Sequence, residues 1–312
     1  MAKFQYLVPV DGSVQSDAAV VHAARFTDIY GAELTIVHVV DSSVYKEPEI
    51  VESMEAAGEA YLDQAKEIAA ENNVTVKSAK VLVGYPFDEI IHEASEIDCS
   101  VIFIGATGIS RSPYIGTVAS RVLRGAECHV MLVRGDMPTE GYNNILIPTD
   151  GSESAEYAAH SGLSIAKRFG SKVACCNIVD TSHVVETRVV TAGGVGAGRH
   201  YGDVIKLSKS MAQKMRQRML DESAKIAERV KEIADAKGVD ARIVVRDGKP
   251  AQEILKIIRD EGIDLVVMGY TGKRMVSKLL MGSVSEKVAS TAPCSVIVVR
   301  STRMERVVPV YE

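Results

Sequence analysis

A chain of 312 residues, 46% hydrophobic and 25% charged, is long enough for two cores and too apolar to stay disordered. Its net charge of −5 and pI near 5.9 give no electrostatic footprint for nucleic acid. No apolar run approaches the ~18 residues of a membrane span. The opening MAKFQYLVPVDGS lacks the apolar core and cleavage site of a signal peptide, reads directly as a first strand, and sets the expected location as cytoplasmic. From there strands are predicted near 4–9, 33–39, 75–83, 100–104 and 128–133, with helices between. Runs such as LTIVHVV, SVIFIG and HVMLVR are nearly continuously apolar, the pattern of strands covered on both faces of a mainly parallel sheet. In the first helix Ala19, Ala23, Phe26 and Tyr30 form one apolar stripe.

The Gly-, Pro- and Asn-rich stretch RGDMPTEGYNN at 134–144 marks a boundary. Beyond it the sequence begins again. LVPVDGS (7–13) returns as LIPTDGS (146–152), and VHVVD (37–41) returns as CNIVD (176–180), both at an offset of 139. The helix stripe repeats as Ala158, Gly162, Ile165 and Phe169. GYPFDEI (84–90) then matches GKPAQEI (248–254) at 164, so the second copy holds 25 extra residues in its middle. That insertion is assigned to a Gly-rich loop, 191–202, and one long helix over 203–238, about 50 Å at the usual rise. Its Met211, Met215 and Met219 row reads as packing, and its many basic residues as a solvated face. The five cysteines, at 99, 128, 175, 176 and 294, sit mostly in apolar runs and read as reduced thiols. Neighbours Cys175 and Cys176 on a strand point to opposite faces, which argues against a shared metal.

The glycines carry the chemistry. Gly269, Gly272 and Gly282, followed by Ser283, give G-x2-G-x9-G-S between an apolar strand and a helix. Glycines let backbone amides approach a phosphate and adopt positive φ, and a helix starting at Ser283 adds unpaired N–H groups. The hydroxyls of Ser283 and Ser285 can donate further bonds, and Lys273 and Arg274 can neutralise charge. Asp150, after the first strand of this half, suits a ribose hydroxyl. Ile178 and Met268 offer an apolar bed for a base. These parts fit a nucleotide. Plain turn and cap chemistry is the competing reading.

With these motifs the chain resembles the universal stress protein family in its tandem form. The resemblance covers nearly the whole chain twice, apart from the insertion and the last dozen residues. It implies two doubly wound α/β domains, Rossmann-like and akin to the adenine nucleotide alpha hydrolases, each with a mainly parallel five-stranded sheet. Their bounds are 1–135 and 143–300, with a tail at 301–312. It further implies ATP, or else ADP or AMP, bound mainly in the second domain with or without Mg. The site there comprises Pro148, Thr149, Asp150, Ile178, Met268, Gly269, Gly272, Lys273, Gly282, Ser283, Val284 and Ser285. The first domain keeps Pro9, Asp11, Val39, Gly105, Gly108, Gly116 and Thr117, but has seven residues instead of nine between its last two glycines. Two residues fewer shorten the loop's reach by ~7 Å, so a weaker, altered or empty site is expected. The resemblance also has HVMLV and SVIVV pairing across an intramolecular pseudo-dimer, with homodimers of chains as a further level.

No Walker A sequence, G-x-S-x-G elbow or H-E-x-x-H occurs. His38 lies near the expected base site, but its repeat partner is Asn177, which assigns it a core or surface role. The expected function is therefore a nucleotide-dependent regulator acting on a protein partner. The rivals are a slow ATPase or nucleotidyl-transfer enzyme of related fold, and a nucleotide-free scaffold or ligand carrier.

Overall fold

The computed structural model describes residues 3–108, 114–182, 184, 209–273 and 280–300. The inserted Gly-rich stretch, most of the longer glycine loop and the C-terminal tail lie outside the described residues. The first half runs β1 (Gln5–Pro9), α1 (Val14–Tyr30), β2 (Glu33–Asp41), α2 (Pro48–Glu71), β3 (Ser78–Gly84), α3 (Pro86–Glu96), β4 (Val101–Gly105), α4 (Thr117–Gly125) and β5 (His129–Val133). The second runs β6 (Asn144–Pro148), α5 (Glu153–Phe169), β7 (Lys172–Val179), α6 (Lys209–Lys237), β8 (Ala241–Asp247), α7 (Pro250–Asp260), β9 (Leu265–Gly269), α8 (Ser283–Thr291) and β10 (Ser295–Val299).

Both halves have the strand order 3-2-1-4-5, and every pairing within a half is parallel. The two sheets are one. β5 and β10 pair antiparallel, Met131 opposite Ile297, to give ten strands in the order β3-β2-β1-β4-β5-β10-β9-β6-β7-β8. This closes the two edges that HVMLV and SVIVV would otherwise leave open. The core accordingly lies in two layers, one on each face of the sheet. Cys175 and Cys176 belong to opposite layers, and all five cysteines are buried thiols outside any disulfide.

A pseudo-twofold relation governs the junction. Arg134 donates to the Ala289 carbonyl (2.7 Å), and Arg300 donates to the carbonyl of Leu123 (3.3 Å), the residue matching Ala289. On the other face the two predicted stripes meet: the rings of Phe26 and Phe169 lie 5.9 Å apart, and His22 Nδ1 bonds the Tyr142 hydroxyl at 2.5 Å. Burial holds the His22 imidazole down to about 4, so it is neutral there.

Two expectations change. The long helix is not inserted material along most of its length. α6 packs on β7 and β8 as α2 packs on β2 and β3, and the left-handed residues that end the two helices, Asn73 (φ 63°) and Gly238 (φ 70°), stand 165 residues apart. The extra residues therefore precede the helix. Nor is its methionine row buried as a whole: Met211 and Met215 are 55% and 45% exposed, and Met219 is half-buried. The buried stripe is Ala212, Ser223, Ala227, Val230 and Ala234. A row at i+4 spacing drifts about 40° per step on a 3.6-residue helix, so the methionine row winds into the core only on reaching Ser223.

Candidate functional site

In a 3-2-1-4-5 sheet the strand order reverses between the first and fourth strands, and a crevice opens beyond their carboxyl ends. Each half has one. In the second half it lies between Pro148 and Gly269; in the first, between Pro9 and Gly105.

The turn after the first strand is built the same way twice. Asp11 Oδ1 accepts from the Ser13 amide (3.1 Å) and hydroxyl (2.5 Å); Asp150 Oδ1 accepts from the Ser152 amide (3.0 Å). Ser13 and Ser152 then cap α1 and α5 through Ser16 N and Ala155 N. The bland reading of the aspartates thus holds for one oxygen. The other oxygen faces the glycine loop. Asp150 Oδ2 accepts from the Lys273 amide at 2.8 Å and would lie 2.7 Å from a Cβ on Gly272. Asp11 Oδ2 would lie 3.0 Å from a Cβ on Gly108.

The three glycines of the motif have different tasks. None of the second-half three has a left-handed φ, contrary to expectation. Gly269 is a packing residue: a Cβ there would sit 2.6–2.7 Å from the Oγ and backbone of Ser154, and Gly105 meets Gln15 backbone at 3.0 Å. Gly272 makes room for the Asp150 carboxylate. Gly282 stands apart. It is the N-cap of α8 at φ −67°, ψ 138°, a conformation open to any residue, and among the described residues no side chain caps the helix. Among the described residues, the nearest atoms to a Cβ there would be Gly272 N and Tyr270 O at 3.5 Å, ordinary contact. Gly116, N-cap of α4, has the same freedom, with nothing among the described residues nearer than 3.7 Å.

Around this start the fixed polar groups are few. Ser285 is buried and its hydroxyl donates to the Gly269 carbonyl at 2.7 Å, so that proton is already engaged, contrary to the expectation that it would reach a ligand. Ser283 is exposed and Val284 half-buried. The Lys273 ammonium would lie 3.0 Å from a Cβ on Gly151, which places it over the turn after Asp150. Thr149 Oγ1 accepts from the Gly151 amide at 3.1 Å. Met268 is buried and Ile178 half-buried, both in the layer beneath the crevice.

In the first half the described residues enclose a cavity of about 290 Å³. Pro9, Asp11, Val39, Gly105, Gly108, Gly116 and Thr117, all expected there, line it. Sequence reasoning missed Pro86 and Ile90 on its α3 side, although both fall in the repeated segment GYPFDEI. It also misjudged His38, which lines the cavity and whose Nδ1–H donates to the Val10 carbonyl at 2.8 Å. Asn177 does the same work in the second half, its Nδ2 donating to the Thr149 carbonyl at 2.6 Å. Each has its own helix partner: Gly58 leaves space for the imidazole, while Ser223 donates its hydroxyl to Asn177 Oδ1.

The sequence profile of the universal stress protein family matches twice, over residues 5–134 and 141–300. The chain belongs to the universal stress protein family. A universal stress protein of Methanocaldococcus jannaschii is 33% identical over 164 residues, 53% of this chain and 85% of that protein. One from Bacillus subtilis is 29% identical over 159 residues, 51% of this chain and 99% of its own. Such relatives are one repeat long. Whole-length likeness comes from a solved universal stress protein of Archaeoglobus fulgidus, with a TM-score of 0.68 over 95% of this chain and 98% of that one at 18% identity. A Pseudomonas aeruginosa protein of unknown function gives 0.62 over 97% and 96% at 13%. At those identities the likeness is one of fold, and the fold it shows is the tandem universal stress protein arrangement. Among the described residues no helix is long and apolar enough to cross a membrane.

Proposed function

We propose that this universal stress protein binds an adenine nucleotide, ATP foremost, in the second-half crevice and acts as a nucleotide-dependent regulator. The observation that carries this reading is Gly282. Its φ and its surroundings among the described residues leave a side chain tolerable, yet the helix start it forms has no capping side chain. A glycine that folding does not demand, at a helix N-terminus beside a lysine, suits the close approach of a phosphate. Asp150 meets the ribose, Ile178 and Met268 bed the base, and the amides of Ser283 and Val284 with Lys273 take the phosphates, Gly282 leaving them open to approach. Thr149 and Pro148 hold the strand end, and Gly269 sets the strand-to-helix distance.

Regulation follows if the polyphosphate holds the 272–283 loop in one arrangement and a partner binds that arrangement better than others. The shift can be no larger than that difference in affinity. Titration calorimetry with ATP tests the binding. Wild type should take up ATP in the second half, and Gly282→Val should lose it with an unchanged circular dichroism spectrum and melting temperature. No uptake by wild type, or equal uptake by Gly282→Val, would end this reading.

A further inference from the structure

The two crevices share a frame but differ in charge. In the second half the Lys273 ammonium lies over the turn after Asp150; the residue at the matching place in the first half is Ile109. Between their last two glycines the second half carries three cations, Lys273, Arg274 and Lys278, against Arg111 alone in the first. The first-half connection is also two residues shorter, removing about 7 Å of reach. Neither loop glycine was lost with it. Gly116 still leaves an uncapped helix start open, and the cavity in front of it is formed, at the small end of ligand pockets.

The cavity's walls fit the other end of a nucleotide. Val39 and Ile104 are apolar and occupy the positions of Ile178 and Met268. Asp11 brings a carboxylate, which accepts from sugar hydroxyls and repels phosphate. His38 adds an aromatic wall, fixed by its bond to Val10 and by edge contact with Tyr61 at 5.2 Å. A long polyanion would here face a carboxylate with little opposing charge, at a cost that grows with each added phosphate.

From this we propose that the first-half cavity is a separate site for a nucleoside or nucleoside monophosphate, and that it discriminates against triphosphates. The proposal rests on reading the switch-point crevice as a nucleotide site, but its test separates the two. Equilibrium dialysis of the full chain with labelled adenosine, AMP and ATP is run on wild type, Gly282→Val, Val39→Trp and Asp11→Asn. Val39→Trp fills the base position; Asp11→Asn keeps the turn's acceptor oxygen and tests the carboxylate without risking the fold. In Gly282→Val, adenosine and AMP should bind at one equivalent, at least tenfold tighter than ATP. Both first-half changes should weaken that binding tenfold or more while leaving ATP uptake by the second half intact. Failure of adenosine and AMP to bind, their loss in Gly282→Val, or ATP binding as tightly as AMP at the Val39-dependent site would each overturn the proposal. Adenosine uptake sensitive to Val39→Trp in a protein that takes up no ATP would uphold it while refuting ATP binding in the second half.

Discussion

The exchange of His38 and Gly58 for Asn177 and Ser223 predicts a strong coupling between two residues that are far apart in sequence. A Cβ on Gly58 would lie 2.5 Å from His38 Cδ2 and 3.2 Å from Val81 Cγ2. The imidazole cannot easily yield, being held by Val10 and packed against Tyr61. Gly58→Ser therefore overpacks, at ~1–3 kcal/mol, offset by roughly 0.5 kcal/mol of better helix propensity. His38→Asn alone removes ring packing and costs ~1–2 kcal/mol as a large-to-small change. Together the two changes recreate the second-half pair, in which one amide donates to the strand-end carbonyl and accepts from the serine hydroxyl. The clash is gone and a hydrogen bond worth ~1 kcal/mol is gained. The double variant should lie within about 1 kcal/mol of wild type, for a coupling energy of ~2 kcal/mol. Urea unfolding at constant slope measures it. Additive effects, to within about 0.5 kcal/mol, would show that the two helix–strand contacts are not equivalent.

Other outcomes follow from the same geometry. Gly269→Ala should destabilise the fold by ~1–3 kcal/mol through contact with Ser154 backbone, whereas Gly282→Ala should leave thermal stability unchanged; equal effects in melting experiments would contradict the division of tasks. His22 binds a proton near 6.5 when unfolded but only at about 4 when folded. The unfolded chain holds more protons between those values, so stability is full above about pH 6.5 and falls by up to ~3 kcal/mol towards pH 4. His22→Gln should flatten that slope in urea midpoints measured across the window. Arg300→Ala should cost ~1.5–3 kcal/mol, since its guanidinium lies 3.5 Å from the Tyr270 ring centroid and bonds the carbonyls of Leu123 and Arg124. An unchanged melting temperature would show that the junction is held by the sheet alone.

Much of this was legible in the sequence because burial on both faces leaves continuous apolar strands and because the repeat supplies each half as a check on the other. Where the copies kept the same residue, as at Asp11 and Asp150, position and local role were readable. Where they compensated, they were not. His38 and Asn177 differ in type yet serve one carbonyl, and only the facing helix explains the change. The place of the extra residues was hidden for a related reason. Matching segments stood at 41 and 84 in the first half, with α2 between them, and a helix needs a periodicity, not particular residues, to fill its place. The task of each glycine was illegible in principle: Gly269 and Gly282 are the same letter, and only what a Cβ would meet tells a clash from ordinary contact.

Some residues of the frame are common to both halves. The junction arginines Arg134 and Arg300, the packing glycines Gly105 and Gly269, and the capping serines Ser13 and Ser152 occur in both. These residues hold the frame, and a pseudo-twofold frame constrains both copies at once, since each arginine bonds the other half's helix. Among the differences, three fall at the crevices: His38 against Asn177, Ile109 against Lys273, and Ala106 against Tyr270. Tyr270 is the instructive case. Its carbonyl accepts from the Gly282 amide, while its hydroxyl donates to the Arg124 carbonyl at the end of α4, the helix whose start lines the first-half cavity. Ala106 keeps the first of those bonds, through the Gly116 amide, and has no hydroxyl for the second. Tyr270 thus ties the end of β9 to α4 of the first half, and Ala106 makes no reciprocal tie. A frame kept equal by symmetry thus carries two crevices with different lining residues within one hydrogen-bonded body.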